Sequence, residues 1–338
     1  MFAPKSGEKV LFLVDTPHDE IKDNNIWTDR RKMAKEWHDT FKEIGNKTGF
    51  SVSMIEYKAT GVHNSPVPQD AIDAAKKSNL IIAMTEFSGT STLLPLCKAE
   101  GSITRGASMP GVEKRMEETA FRADYAEVKK HALAIEKMLN GTIGAEVLFS
   151  TGDDLYIDLR NRVAKSDTGD CSKTGQAINF PSGEACKVPY EGASDEIAEF
   201  GDSKTEGIMP VAYEEGIVKF VIKNNKIVEV VGENNKADEM RAFFEKDYTH
   251  RNIAELGIGC NPKAVVTGNI LEDEKVGGLH IAYGMSAHLG GKINSDMHQD
   301  ICYPEGLPVK AKTLTLFNKN GTKTELIQDA MLRYELLK

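Results

Sequence analysis

Five side chains of the kinds that bind metals fall in one stretch of the chain, each beside glycine or a turn. Glu184 ends Phe180-Pro-Ser-Gly-Glu184 and Glu255 lies in Ala254-Glu-Leu-Gly-Ile-Gly259. His280 lies in Gly278-Leu-His-Ile-Ala282, and His298 and Asp300 in Met297-His-Gln-Asp300. Imidazole plus carboxylate suits Zn, Mn, Co or Fe, and two bridged ions would be poised to activate water. On a strand, residues two apart share a face, so His298 and Asp300 can grip one ion. Glu255 sits in an apolar, glycine-rich run, where an acid is costly unless it is paired or holds a cation. Singly, each has an ordinary reading. His298 and Asp300 read as a surface polar pair, His280 as a core histidine bonded to a carbonyl, Glu184 as a turn glutamate. Gathered in one region, they form a candidate metal cage.

Other chemistries lack their residues. His-Glu-x-x-His is absent, and Phe180-Pro-Ser-Gly183 has a serine without the first glycine of a nucleophile elbow. After the first apolar run comes Asp15-Thr-Pro-His-Asp19, so the glycine fingerprint for dinucleotides is missing. The five cysteines (97, 171, 186, 260 and 302) form no Cys-x-x-Cys pair and read as buried small hydrophobes. Their odd count fits a reducing cytosol, and a cytoplasmic protein is expected. Net charge is −9 with no long basic block, so nucleic acid is not an expected partner. No segment approaches the roughly 20 apolar residues of a membrane span, so no membrane partner is expected either.

The elements that must position these residues fall into two textures. Val10 to Val14 reads as a buried strand, with Ser51 to Tyr57, the very apolar Asn79 to Met84 and the short Gly106 to Met109 as further strands. Helices are expected between them over Asp29 to Lys47, Pro68 to Ser78 and Thr92 to Glu100, the first with Met33, Trp37, Phe41 and Ile44 on one face. This rhythm predicts a doubly wound α/β domain over residues 1–125. Asp124 to Asn140 reads as a strong helix. Beyond it the chain turns to hairpins, at Ala145–Ser150 with Leu155–Leu159, at Ile217–Ile222 with Lys226–Val231, and at Lys310–Phe317 with Lys323–Ile327. Residues 126–338 are therefore expected to form a mixed, β-rich α+β metal-binding domain. The fold class is α/β, with the two domains in that order.

The order of the site motifs resembles the thermophilic metallo-aminopeptidase family of the aminopeptidase T type, in its shorter archaeal and bacterial branch. The likeness is best from Asn179 to Asp300 and extends to Arg251–Gly259, Gly268–Lys275 and Leu289-Gly-Gly-Lys292; Ala107-Ser-Met-Pro-Gly111 is its most specific N-terminal piece. The resemblance implies that Glu184, Glu255, His280, His298 and Asp300 hold two ions, Zn, Mn or Co, with Glu255 as the bridging and catalytic carboxylate. It implies a peptide hydrolase that releases N-terminal residues from small peptides by a metal-activated water. A closed, symmetric homo-oligomer is expected. One position departs: the family's tyrosine, seven residues after the first histidine, is Ala287 here, followed by His288, while Tyr283 comes after only three. The chain also resembles a second branch, the 2,5-dihydroxypyridine dioxygenases with a single Fe(II), in its Gly-Gly-Lys and His-x-Asp segments. There a histidine stands where Glu255 stands and the Glu184 carboxylate is missing. That branch is the alternative reading, and a metal-binding homologue without peptidase turnover is a third.

Overall fold

The computed structural model describes residues 1–338 as a mixed α/β protein with three sheets. The chain divides into two compact units, residues 1–129 with 167–182, and residues 130–166 with 183–338. No helix is long and apolar enough to cross a membrane.

The first unit is built on a five-stranded sheet in the order Ser51–Lys58, Lys9–Thr16, Leu80–Ala83, Arg105–Ser108, Ala177–Asn179. Every pairing in it is parallel. Lys9–Thr16 is apolar on both faces: Leu11 and Leu13 join the cluster with Ala71, Ala75 and Leu93 of the two shorter helices. Phe12 on the other face meets Phe41 of the long helix Asn25–Thr48. Strand order that reverses beside the first strand goes with helices on both faces, as the sequence predicts. Asn24 caps the long helix by accepting from the Trp27 amide, and Gly49 ends it in the left-handed region at φ 92°. One expectation fails inside that helix. Ile44 is exposed, and Gly45 faces inward instead, because a Cβ there would meet the Phe50 carbonyl at 2.4 Å. The fifth strand, Ala177–Asn179, comes from a segment expected to lie wholly in the second domain.

The second unit contains an eight-stranded antiparallel sheet in which all three expected hairpins form. Beside it lies the smaller sheet that carries the candidate ligands, ordered His298–Cys302, Gly278–Gly284, Ile253–Gly259, Glu184–Lys187, then the short Lys165–Asp167. Alternation decides what each face does. Leu256, Ile258, Leu279, Ile281 and Tyr283 point into one apolar core with Val147, Phe149, Phe220 and Leu314 of the larger sheet. The intervening residues point the other way and form the site.

The start of the Glu255 strand is fastened by a turn. Asn224 and Asn225 both have positive φ, 51° and 64°, as a tight hairpin turn requires. The fully buried Asn225 side chain donates to the Ile253 carbonyl at 2.8 Å and to Asn252 at 3.0 Å. Asn252 in turn donates to the Gly284 carbonyl at 3.0 Å.

Candidate metal centre

The site-facing positions of the small sheet form a grid. Strand Glu184–Lys187 contributes Glu184 and Cys186, and strand Ile253–Gly259 contributes Glu255, Gly257 and Gly259. Strand Gly278–Gly284 contributes Gly278, His280, Ala282 and Gly284, and strand His298–Cys302 contributes His298, Asp300 and Cys302. Register sets neighbours: Gly259 lies opposite Glu184, Gly257 opposite His280, Ala282 opposite Asp300 and Gly284 opposite His298. Each donor therefore lies opposite glycine or alanine, and this leaves room for its side chain. At Gly257 the room is filled completely, since a Cβ would meet His280 Nε2 at 1.9 Å.

All five predicted residues converge, in a row. His280 Nε2 lies 3.5 Å from Glu184 Oε2 and 3.4 Å from Glu255 Oε1. The other Glu255 oxygen lies 3.2 Å from His298 Nε2, which is 3.5 Å from Asp300 Oδ1. Ligand atoms of Glu255, His298 and Asp300 all lie within 4.8 Å of one another. His298 is oriented from behind: its Nδ1 donates to the Met285 carbonyl at 2.6 Å, which turns Nε2 toward the carboxylates. A histidine fixed in this way by a backbone carbonyl is in the tautomer a metal needs. Buried Glu184 Oε2 and His280 Nδ1 have no hydrogen-bond partner. The donor set is nitrogen and oxygen, which fits a divalent ion of the Fe, Mn or Zn kind.

The electrostatics follow from three acids and two imidazoles out of water. Burial alone would lower the pKa of His280, but the Glu255 hydrogen bond and the charges of Glu184, Glu255 and Asp300 push it up to about 9. Burial opposes the shift of His298 too, yet Asp300 and Glu255 hold it well above the ordinary histidine value. Glu255 and Asp300 are held low against burial, chiefly by the two histidines for Glu255 and by His298 for Asp300. The metal-free site thus keeps Glu255 and Asp300 ionised and both imidazoles protonated at neutral pH. Coordination by His298 needs its imidazole neutral, so metal loading at pH 7.5 is expected to release protons, and affinity is expected to rise with pH. Calorimetry in two buffers of different ionisation heat measures this, and zero proton release would contradict it. The sign for folding is the reverse: a raised His280 pKa stabilises the metal-free protein below its ordinary 6.5 and is lost as pH rises toward 9.

Several neighbours were not assigned from the sequence. Cys186 and Cys302 follow Glu184 and Asp300 by two residues, so strand alternation alone points to them. Both thiols are pushed well up, by burial first and then by nearby carboxylates, so they are protonated. Lys275 is fully buried, with Nζ 2.6 Å from Glu184 Oε1 and 2.7 Å from Glu274 Oε1. Its only sequence signal is a lysine ending an acidic run just before the apolar strand of His280. Buried Glu191 accepts from Ser286 Oγ, from the Lys292 amide at 2.7 Å and from Arg162 at 3.0 Å. This fastens the turn Ala287–Leu289, where the His288 ring stands edge-on to His298 at 4.8 Å between centroids. Gly291 is needed in that turn because a Cβ would meet Ser286 Oγ at 2.3 Å. His288 is exposed; packing around its ring and then neighbouring His298 lower its pKa, so it is neutral.

The family of 2,5-dihydroxypyridine 5,6-dioxygenases (NicX) matches residues 7–305. The chain belongs to this family. Among solved structures, it is similar to the 2,5-dihydroxypyridine dioxygenase from Pseudomonas putida KT2440, at 16% identity and a TM-score of 0.66 over 99% of this chain and 94% of that one. It is also similar to wild-type AmpT from Thermus thermophilus, at 14% identity and a TM-score of 0.59 over 98% and 96%. At such identities the two likenesses show a shared fold. No curated protein sequence matches. The expected metallo-aminopeptidase is overturned by the family match: the chain belongs to a dioxygenase family, not to a peptidase one. The departures fit the correction, since Ala287 stands in the tyrosine's place and an ammonium pairs with Glu184.

Proposed function

We propose that this dioxygenase-family chain opens hydroxylated pyridine-type rings with molecular oxygen, using one iron ion held by Glu255, His298 and Asp300. The observation that carries the reading is the convergence of those three ligand groups within 4.8 Å. His280 supplies a second imidazole beside Glu255. The site therefore contains the makings of the two-histidine, one-carboxylate set typical of non-haem iron oxygenases. Glu255 in place of that branch's histidine adds a negative charge, and it also holds His280 protonated. When bound, the iron supplies oxygen binding and electron transfer.

The chain's own residues handle protons and placement. Hydroxylated rings react as their anions, so a ring hydroxyl must give up a proton. Glu255 is the acceptor closest to the ion's place, and the protonated His280, with Nε2 3.4 Å away, donates to that carboxylate. His298 stays fixed throughout by the Met285 carbonyl.

The test is an oxygen electrode with the iron-loaded protein and a panel of dihydroxypyridines. One oxygen consumed per ring absorbance lost is the expected result. If no member of the panel raises oxygen uptake above that of the metal-free protein, the reading falls.

A further inference from the structure

We propose that the Lys275 ammonium takes the place a second metal ion would occupy, and so limits this centre to one ion. The inference rests on the proposed metal centre but not on its reaction. A two-ion site in this row would need Glu184, His280 and Glu255 around one ion and Glu255, His298 and Asp300 around the other. The second set is open. In the first, Glu184 Oε1 is already engaged by Lys275 Nζ at 2.6 Å, and Glu274 closes on the same nitrogen at 2.7 Å.

The placement is built into the backbone. Gly259 lies opposite Glu184, and a Cβ on it would meet the carbonyls of Val276 at 2.2 Å and Glu274 at 2.5 Å. The segment Glu274-Lys275-Val276 therefore crosses directly over Gly259 and delivers the lysine to the carboxylate beside it. Lys275 is 0% exposed. A buried ammonium is tolerable only against an anion, and Glu184 supplies it, with the Glu274 carboxyl closing the other side. A divalent ion bound at Glu184 Oε2 would share that carboxylate with the ammonium. Repulsion between two cations a few ångströms apart, in a poorly screened interior, opposes it. Glu184 Oε2 accepts no hydrogen bond and lies 3.5 Å from His280 Nε2. Removal of the ammonium would therefore leave a complete donor set for a second ion.

Titration of the metal-free, full-length chain with Co(II), read by its visible absorbance and by metal analysis after desalting, tests this without any substrate. The wild type is expected to saturate at one ion per chain, and Lys275→Met at two. Glu184→Gln is expected to keep one, because Glu184 serves the lysine and not that ion. Circular dichroism checks that each variant is folded. Two ions in the wild type, one in a folded Lys275→Met, or loss of the ion in Glu184→Gln would each overturn the proposal. Should Lys275→Met fail to fold, the wild-type and Glu184→Gln counts decide the matter. A wild type that binds one ion but consumes no oxygen leaves this inference standing and removes only the proposed reaction.

Discussion

Glu255→Gln is expected to weaken metal binding by about 10- to 100-fold, the equivalent of one charge-assisted contact of about 1.5–3 kcal/mol, and to abolish turnover. The substitution keeps the shape of a side chain that lies between both histidines, 3.4 Å from His280 and 3.2 Å from His298. It removes the charge that attracts the cation and holds the two imidazoles protonated. The His280 pKa should therefore fall from about 9 toward its ordinary 6.5. Strand pairing on both sides of residue 255 does not depend on the carboxylate, so the fold should persist. Metal analysis and a histidine NMR titration measure the two effects. Unchanged metal content, with an unchanged His280 titration, would remove Glu255 from the centre.

Gly257→Ala is expected to do comparable damage without touching a donor. The new methyl would meet His280 Nε2 at 1.9 Å, Cε1 at 2.4 Å and Cδ2 at 2.5 Å. Both backbones are held by ladder pairs, Gly257 to Cys186 and His280 and His280 to Cys302, so the strands cannot part. The ring must swing away from Glu255 and Glu184. Overpacking of this kind costs about 1–3 kcal/mol of stability. Denaturant unfolding should show that loss, and calorimetry should show weaker metal binding. A variant with wild-type stability and a wild-type His280 titration would mean that the ring is not confined as described.

The donors were legible in the sequence because they sit in strands, where a period of two ties position to face. His298 and Asp300 announce themselves by that spacing, and Glu255 by its cost in an apolar run. Cys186 and Cys302 obey the same rule but carry no charge to draw attention. Lys275 and Glu191 were not legible, since each reaches the site from a connection whose path depends on distant contacts. The parallel sheet was readable for its first four strands from apolar runs. Its fifth, Ala177–Asn179, is three residues long and too short to show a pattern. The reaction was the hardest part. The same donor row suits hydrolysis and oxygenation, and only kinship over residues 7–305 separated them.

The irregularity at the start of the Glu255 strand has a wider consequence. Between Ile253 and Glu255 the pairing with Gly278–Gly284 shifts: Ile253 faces Tyr283, yet Glu255 faces Ala282. One additional residue is absorbed there, which lets Ile253 stay in the core while Glu255 turns outward. The Asn225 and Asn252 side chains lock that additional residue in place. Insertions and deletions are therefore harmless or ruinous according to where they land. Exposed turns such as 319–322 can change length with little effect on the donors. Loss of a single residue at the bulge, or within any of the four strands, would turn that strand's donors into the core at a stroke. Evolution of this centre is thus free only in its exposed turns and nearly frozen in its strand lengths, and a designer who wishes to retune it has those turns and the connection of Lys275 to work with.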